Sequence, residues 1–146
     1  MAETGDKRRK SALTGSAGTH FVVSELCRRG FTALPTIRNS RGPDVLVMNE
    51  DGLEFRVLQV KTTSRRDNFW LVGPRESIKA SPRFFYIFVR PKSNSPEDPY
   101  EAFIVPSERV AREARDYGGS ADDWKLPSED REVDILRGNW NSLWSS

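Results

Sequence analysis

The order of elements in the chain predicts an α/β fold, with a mixed central sheet flanked by helices. An apolar stripe at helical spacing comes first, a series of short aromatic and β-branched runs follows, and a second helix-start signal comes after them. A length of 146 residues suits one domain with a core of its own.

Residues 1–14 are polar and charged, with no apolar period, and read as a basic disordered arm. A helix is expected over residues 16–29, where Val22, Val23 and Leu26 share a face with Thr19 and Gly30 supplies the stop. FTALPTI (31–37) reads as a strand, and Pro35 places it near a sheet edge. RNSRGP (38–43) is a loop, and a hairpin follows with NEDG (49–52) as its turn. After Lys61 come a polar loop TTSRRD, a short strand NFWLV and a loop or helical turn over PRESIKAS. RFFYIFVR (83–90) reads as a buried strand, rich in aromatic and branched residues. A proline-rich loop leads to the strand YEAFIV, and Pro106-Ser107-Glu108 opens a helix to about Tyr117. From Gly118 onward the chain is acidic and irregular, with tryptophans at 124, 140 and 144. The expected organisation is thus an arm over 1–14, a folded unit over 15–117, and an extension over 118–146 that packs on it.

Composition removes several function classes. The longest apolar run, residues 84–89, is too short to span a bilayer. The basic KRRK near the start is followed by SALTGSAG instead of an apolar segment, so no secretory signal is expected. The single Cys27 excludes an internal disulfide and a cysteine-rich zinc site. A cytoplasmic protein with no membrane partner is the expectation. Residues 1–92 hold 17 Lys and Arg against 9 Asp and Glu, whereas residues 93–146 hold 6 against 12. This asymmetry fits a polyanion-facing side and an acidic side, and equally charges that only solvate surfaces.

The polar ends of the hairpin carry the most information. With Met48 facing Leu53, Leu46 stands opposite Phe55 and Asp44 opposite Val57, and Gln59 is the diagonal neighbour of Asp44. Alternation then collects Asp44, Gln59 and Lys61 at one end of a face that also holds Leu46, Met48, Phe55 and Val57. Val45, Val47, Leu58 and Val60 fill the other face, so the polar group lies partly buried. A buried carboxylate or ammonium needs a partner. Two arrangements supply one: an Asp44–Lys61 ion pair capping the sheet end, or carboxylate and amide oxygens holding a hard cation beside a lysine that handles an anion.

The sequence GPD, a hairpin and then QVK, preceded by GTHFVVSELCRRGF, a strand and TIRNSRGPD, resembles the PD-(D/E)XK nuclease superfamily in its variant with Gln at the second acidic position. It is similar to small bacterial members and, more distantly, to archaeal Holliday junction resolvases. The likeness covers residues 15–63 most strongly and FFYIFVR…YEAFIVPSERVA more loosely. It implies a restriction-endonuclease-like fold and hydrolysis of DNA phosphodiester bonds with Mg²⁺ or Mn²⁺. By the same resemblance, Asp44, Gln59 and the main-chain carbonyl of Val60 hold the metal, and Lys61 orients or helps to deprotonate the attacking water. Related sequences often carry a Glu on the first helix where this chain has Thr19. Glu25, at the rim of the apolar face, is the substitute that joins the catalytic candidates, while His20 on the opposite flank reads as a surface or packing residue. DNA is the implied partner, and a homodimer is the implied assembly because many members act as dimers. The alternative is a nuclease-fold DNA-binding or assembly module without full activity.

Arg38, Arg41, Arg65 and Arg66 flank the hairpin's polar end in sequence and are candidates for phosphate contact. Residues 7–10 (KRRK) form either a flexible phosphate-grasping arm or a solvated tail. Trp70, Trp124, Trp140 and Trp144 read as packing residues in preference to base-stacking platforms. No phosphate-binding glycine loop, zinc-spaced Cys/His set or Ser/His/Asp grouping competes with the hairpin.

Overall fold

The computed structural model describes residues 2–37 and 42–145. Its first element, α1 (Ala2–Arg28), is 27 residues long. The expected disordered arm over 1–14 is therefore corrected: from Ala2 on, those residues continue the helix. They contain no proline and several good helix formers, and Lys10 pairs with Asp6 one turn away at 3.2 Å. Only the C-terminal half of α1 is packed. Gly18, Val22 and Leu26 are buried, whereas residues 4–13 are exposed. The helix stops where the sequence predicts, with Gly30 at φ 91° and the Phe31 N–H donating to the Leu26 carbonyl at 3.1 Å.

Six strands follow before the next helix: β1 (Thr32–Pro35), β2 (Val45–Met48), β3 (Phe55–Thr62), β4 (Phe69–Gly73), β5 (Phe84–Pro91) and β6 (Tyr100–Pro106). Five of them form one sheet in the order β1-β2-β3-β5-β6, antiparallel except for the β3–β5 pair. That parallel pair requires a crossover, which contains β4 and a 3₁₀ turn over Arg75–Ser77. The hairpin pairs Met48 with Phe55 and Leu46 with Val57, two residues along from the register that a four-residue turn implies. A shift of two keeps side-chain parity. The same residues therefore share a face, and Asp44 comes level with Gln59.

Both faces of the central strands are buried, which explains their near-continuous apolar sequence. One face, with Val45, Val47, Leu58, Val60, Ile87 and Ile104, packs on Val22 and Leu26 of α1 and on Trp140 and Leu143 of a 3₁₀ turn (Trp140–Trp144). The other, with Tyr86, Phe88, Phe103 and Val105, packs on α2 (Ser107–Glu113), α3 (Asp130–Leu136) and a second sheet. That sheet has the order β4-β8-β7, where β7 is Arg115–Asp116 and β8 is Asp122–Lys125. Trp124 of β8 lies over Phe88, with ring centroids 4.6 Å apart and planes 3° from parallel. Residues 118–145 are thus not irregular: they complete both cores. The second helix ends at Glu113, short of the expected Tyr117, because Arg115 and Asp116 pair with β8 instead. No described helix is long and apolar enough to cross a membrane.

Candidate active site

On β3 the main chain alternates between its two neighbours. Val57 and Thr63 donate towards β5, to the carbonyls of Arg83 (2.9 Å) and Val89 (3.0 Å), whereas the Leu58 carbonyl accepts from Asp44 on the β2 side (2.8 Å). Val60 therefore faces the β2 side too, but β2 begins at Val45, whose partner is Leu58. Beyond that point the side chain of Asp44 takes the place of a strand. Its Oδ2 accepts the Val60 N–H at 2.8 Å and the Nε2 amide of Gln59 at 2.8 Å. A carboxylate only accepts, so the Gln59 nitrogen must be the group turned towards it. Asp44 Oδ1 and Gln59 Oε1 accept no hydrogen bond among the described residues.

The end of β1 clamps the main chain of Asp44. Thr36 donates its N–H to the Asp44 carbonyl at 2.9 Å and its hydroxyl to the Pro43 carbonyl at 2.7 Å. Asp44 and Val60 open into a cleft of roughly 390 Å³ whose opposite wall is α1, with Gly15, Ser16, Thr19 and His20. Thr19 thus stands at the cleft, as does His20, whose Nδ1 lies 2.8 Å from the Ser16 carbonyl. Among the described lining residues, Asp44 carries the one carboxylate.

Glu25 is elsewhere. Six residues after Thr19, it lies about 240° round the helix, pairs with Arg29 at 2.6 Å and borders a different pocket beside Phe21 and Tyr100. The structure corrects its assignment to the site, and the helical phase is the reason. Lys61 projects from the same side of β3 as Gln59, half-buried and with no ion-pair or hydrogen-bond partner among the described residues. An Asp44–Lys61 ion pair is therefore not what caps the sheet. Burial pushes the Asp44 carboxyl up, against the lowering effects of the Val60 N–H and the Lys61 charge. Burial likewise pushes the Lys61 ammonium down, against the opposing effect of Asp44.

Of the four candidate arginines, Arg38 and Arg41 lie outside the described residues. Arg65 is exposed just beyond the end of β3. Arg66 is not displayed for a ligand as expected: Nη1 donates to the Pro91 carbonyl at 3.0 Å, to the Lys92 carbonyl, and to Glu101 at 3.4 Å. Acceptors at the ends of β5 and β6 thus already hold its guanidinium.

Three contributors escape a reading of the sequence. Ser16 and Thr36 look like ordinary cap or loop residues there. Gly18 does leave a signal, as a glycine inside a helical pattern. A β-carbon on it would lie 1.8 Å from Thr62 Oγ1, so a hydrogen at this position is what lets α1 approach β3 and form the cleft wall. Thr62 Oγ1 is buried without a hydrogen-bond partner.

No protein-family model and no curated protein matches the chain. Solved structures do. A Holliday junction resolvase, Hjc, from the archaeal hyperthermophile Archaeoglobus fulgidus superposes with a TM-score of 0.54 at 11% identity, over 90% of this chain and 97% of its own. The bacterial homing endonuclease I-Ssp6803I superposes with a TM-score of 0.56 at 13% identity, over 90% of this chain and 89% of its own. Identity this low speaks to the fold, which spans nearly the whole of each partner. The chain has the restriction-endonuclease-like fold, a mixed central sheet flanked by helices.

Proposed function

We propose that the protein is a metal-dependent endonuclease that hydrolyses DNA phosphodiester bonds at the Asp44 end of the hairpin. The observation that carries this reading is the pairing of uncommitted oxygens with an uncommitted cation. Asp44 Oδ1 and Gln59 Oε1 accept no hydrogen bond among the described residues, the Val60 main chain faces the Asp44 side, and half-buried Lys61 feels the Asp44 charge but forms no salt bridge or hydrogen bond among the described residues. An ion pair that served only the fold would have joined Lys61 to Asp44.

Three oxygens with one negative charge fit a hard divalent cation that keeps several waters. Asp44, Gln59 and Val60 would hold Mg²⁺ or Mn²⁺, which when bound supplies a more acidic water and polarises a phosphoryl oxygen. The chain's own residues do the rest. Gln59 and the Val60 N–H fix the Asp44 carboxylate through Oδ2, which leaves Oδ1 directed for ligation. Lys61 orients the attacking water and offsets charge that builds on the scissile phosphate. Arg65 supports phosphate binding at the rim.

Thr19 favours a second reading. It occupies the cleft wall where related nucleases often carry an acid, and among the described residues no three His, Cys, Asp or Glu side chains gather. On that reading the protein binds DNA and cleaves weakly or not at all. The two separate on one experiment: linear, single-stranded and branched DNA incubated with Mg²⁺, Mn²⁺ or a chelator. The endonuclease reading expects cleavage that the chelator abolishes and that Asp44→Ala removes. Metal-independent binding with every substrate intact supports the second reading.

A further inference from the structure

The face of α1 that lines the cleft continues past it. At about 100° per residue, the lining residues Ala12, Gly15, Ser16 and Thr19 form one stripe. Extended towards the N-terminus, this stripe takes in Arg8 and Arg9, whereas Lys7 and Lys10 fall on the opposite side. Lys10 is paired with Asp6 at 3.2 Å, whereas Lys7, Arg8 and Arg9 make no ion pair among the described residues. Residues 4–13 are exposed throughout, so the helix reaches roughly 15 Å beyond its packed half. A β-carbon added at Gly15, on the cleft wall, would meet nothing within 4 Å. The stripe is therefore low at Gly15, and the guanidinium groups stand beyond it towards the N-terminus.

We propose that the Arg8–Arg9 face of α1 is a phosphate-binding surface that carries the DNA backbone away from the cleft. It rests on the reading that the cleft takes DNA, and adds where the flanking duplex lies. Arginine suits the task because its planar fork donates two parallel hydrogen bonds to a phosphate. Gly15, where the stripe meets the cleft, leaves room for a phosphodiester backbone close to the helix.

The test compares two double variants of the full chain that remove the same charge: Arg8→Ala with Arg9→Ala, and Lys7→Ala with Lys10→Ala. Binding of a fluorescent duplex is measured by anisotropy across a salt series with chelator present, and circular dichroism checks that α1 stays helical. Loss of two phosphate contacts weakens binding roughly ten- to sixty-fold at about 0.1 M salt and flattens the log–log salt slope by roughly 1.8. The proposal expects this of the arginine pair, and a change within about twofold of the lysine pair. Equal losses in the two variants, or none in either, overturn the proposed surface while the wild type's binding leaves the DNA reading standing. A wild type that binds no duplex at any salt overturns both.

Discussion

Asp44 links structure and proposed chemistry through its two oxygens. Oδ2 replaces a strand neighbour for Val60, and Oδ1 accepts no hydrogen bond among the described residues. Gln59 makes this possible because an amide can donate to one carboxylate oxygen and still offer an acceptor. Gln59→Glu should therefore destabilise the metal-free protein by about 1–3 kcal/mol, since the donor is lost and two carboxylates meet. Added Mg²⁺ should restore more stability to this variant than to wild type, which thermal melts with and without the ion would show. Glu101 is a buried acid held by Arg90 at 2.8 Å and Arg137 at 3.0 Å. Burial alone would push its carboxyl up, but the hydrogen bonds and charges of both arginines outweigh burial and hold it below the ordinary range. A lowered carboxyl stabilises the fold above its unfolded value, and that contribution is lost as the pH falls through the folded one. Glu101→Gln should cost roughly 3 kcal/mol at neutral pH and flatten the acid limb of the stability profile, as read by urea denaturation at stepped pH. That Asp44 meets Gln59, with Lys61 on the same side of the strand, was legible in the sequence because polar residues stand out on an apolar strand. Glu25 was misplaced because a residue at the rim of a helix's apolar face has no side until the helix is docked.

The hairpin and α1 fix the cleft, and each tolerates different errors of reading. A six-residue turn in place of four moved the hairpin register by two, yet strand periodicity kept every side chain on its expected face. No such protection exists for a helix that nothing terminates, and α1 ran on through the residues expected to be disordered. Its approach to β3 depends on Gly18. Gly18→Ala would set a methyl group against Thr62 and should cost about 1–3 kcal/mol, with cleavage reduced as the cleft wall shifts. Gly15→Ala, where a β-carbon meets nothing within 4 Å, should instead stabilise by about 0.5–1 kcal/mol through helix propensity. Denaturant melts of the two variants should move in opposite directions.

At the scale of the whole molecule, the central sheet is closed on one face by α1 and the last 3₁₀ turn, and on the other by a second sheet. The second sheet was hidden in the sequence: β8 is Asp-Asp-Trp-Lys, and aspartate is depleted in strands. It forms because Arg75 pairs with Asp122 at 3.0 Å and Arg115 with Asp123 at 2.9 Å, while Trp124 enters the core against Trp70 and Phe88. Trp124→Ala should cost about 3–5 kcal/mol in equilibrium unfolding, a loss that an extension merely resting on a finished domain would not produce. The proposed hydrolytic chemistry at Asp44 turns on Lys61. The measurement is DNA cleavage with Mg²⁺ by wild type and Lys61→Ala, beside duplex affinity for both proteins. Cleavage by Lys61→Ala should fall about 100-fold or more with affinity nearly unchanged, because in the proposed mechanism Lys61 acts on the developing charge while other groups carry binding. Cleavage by Lys61→Ala at the wild-type rate would contradict it.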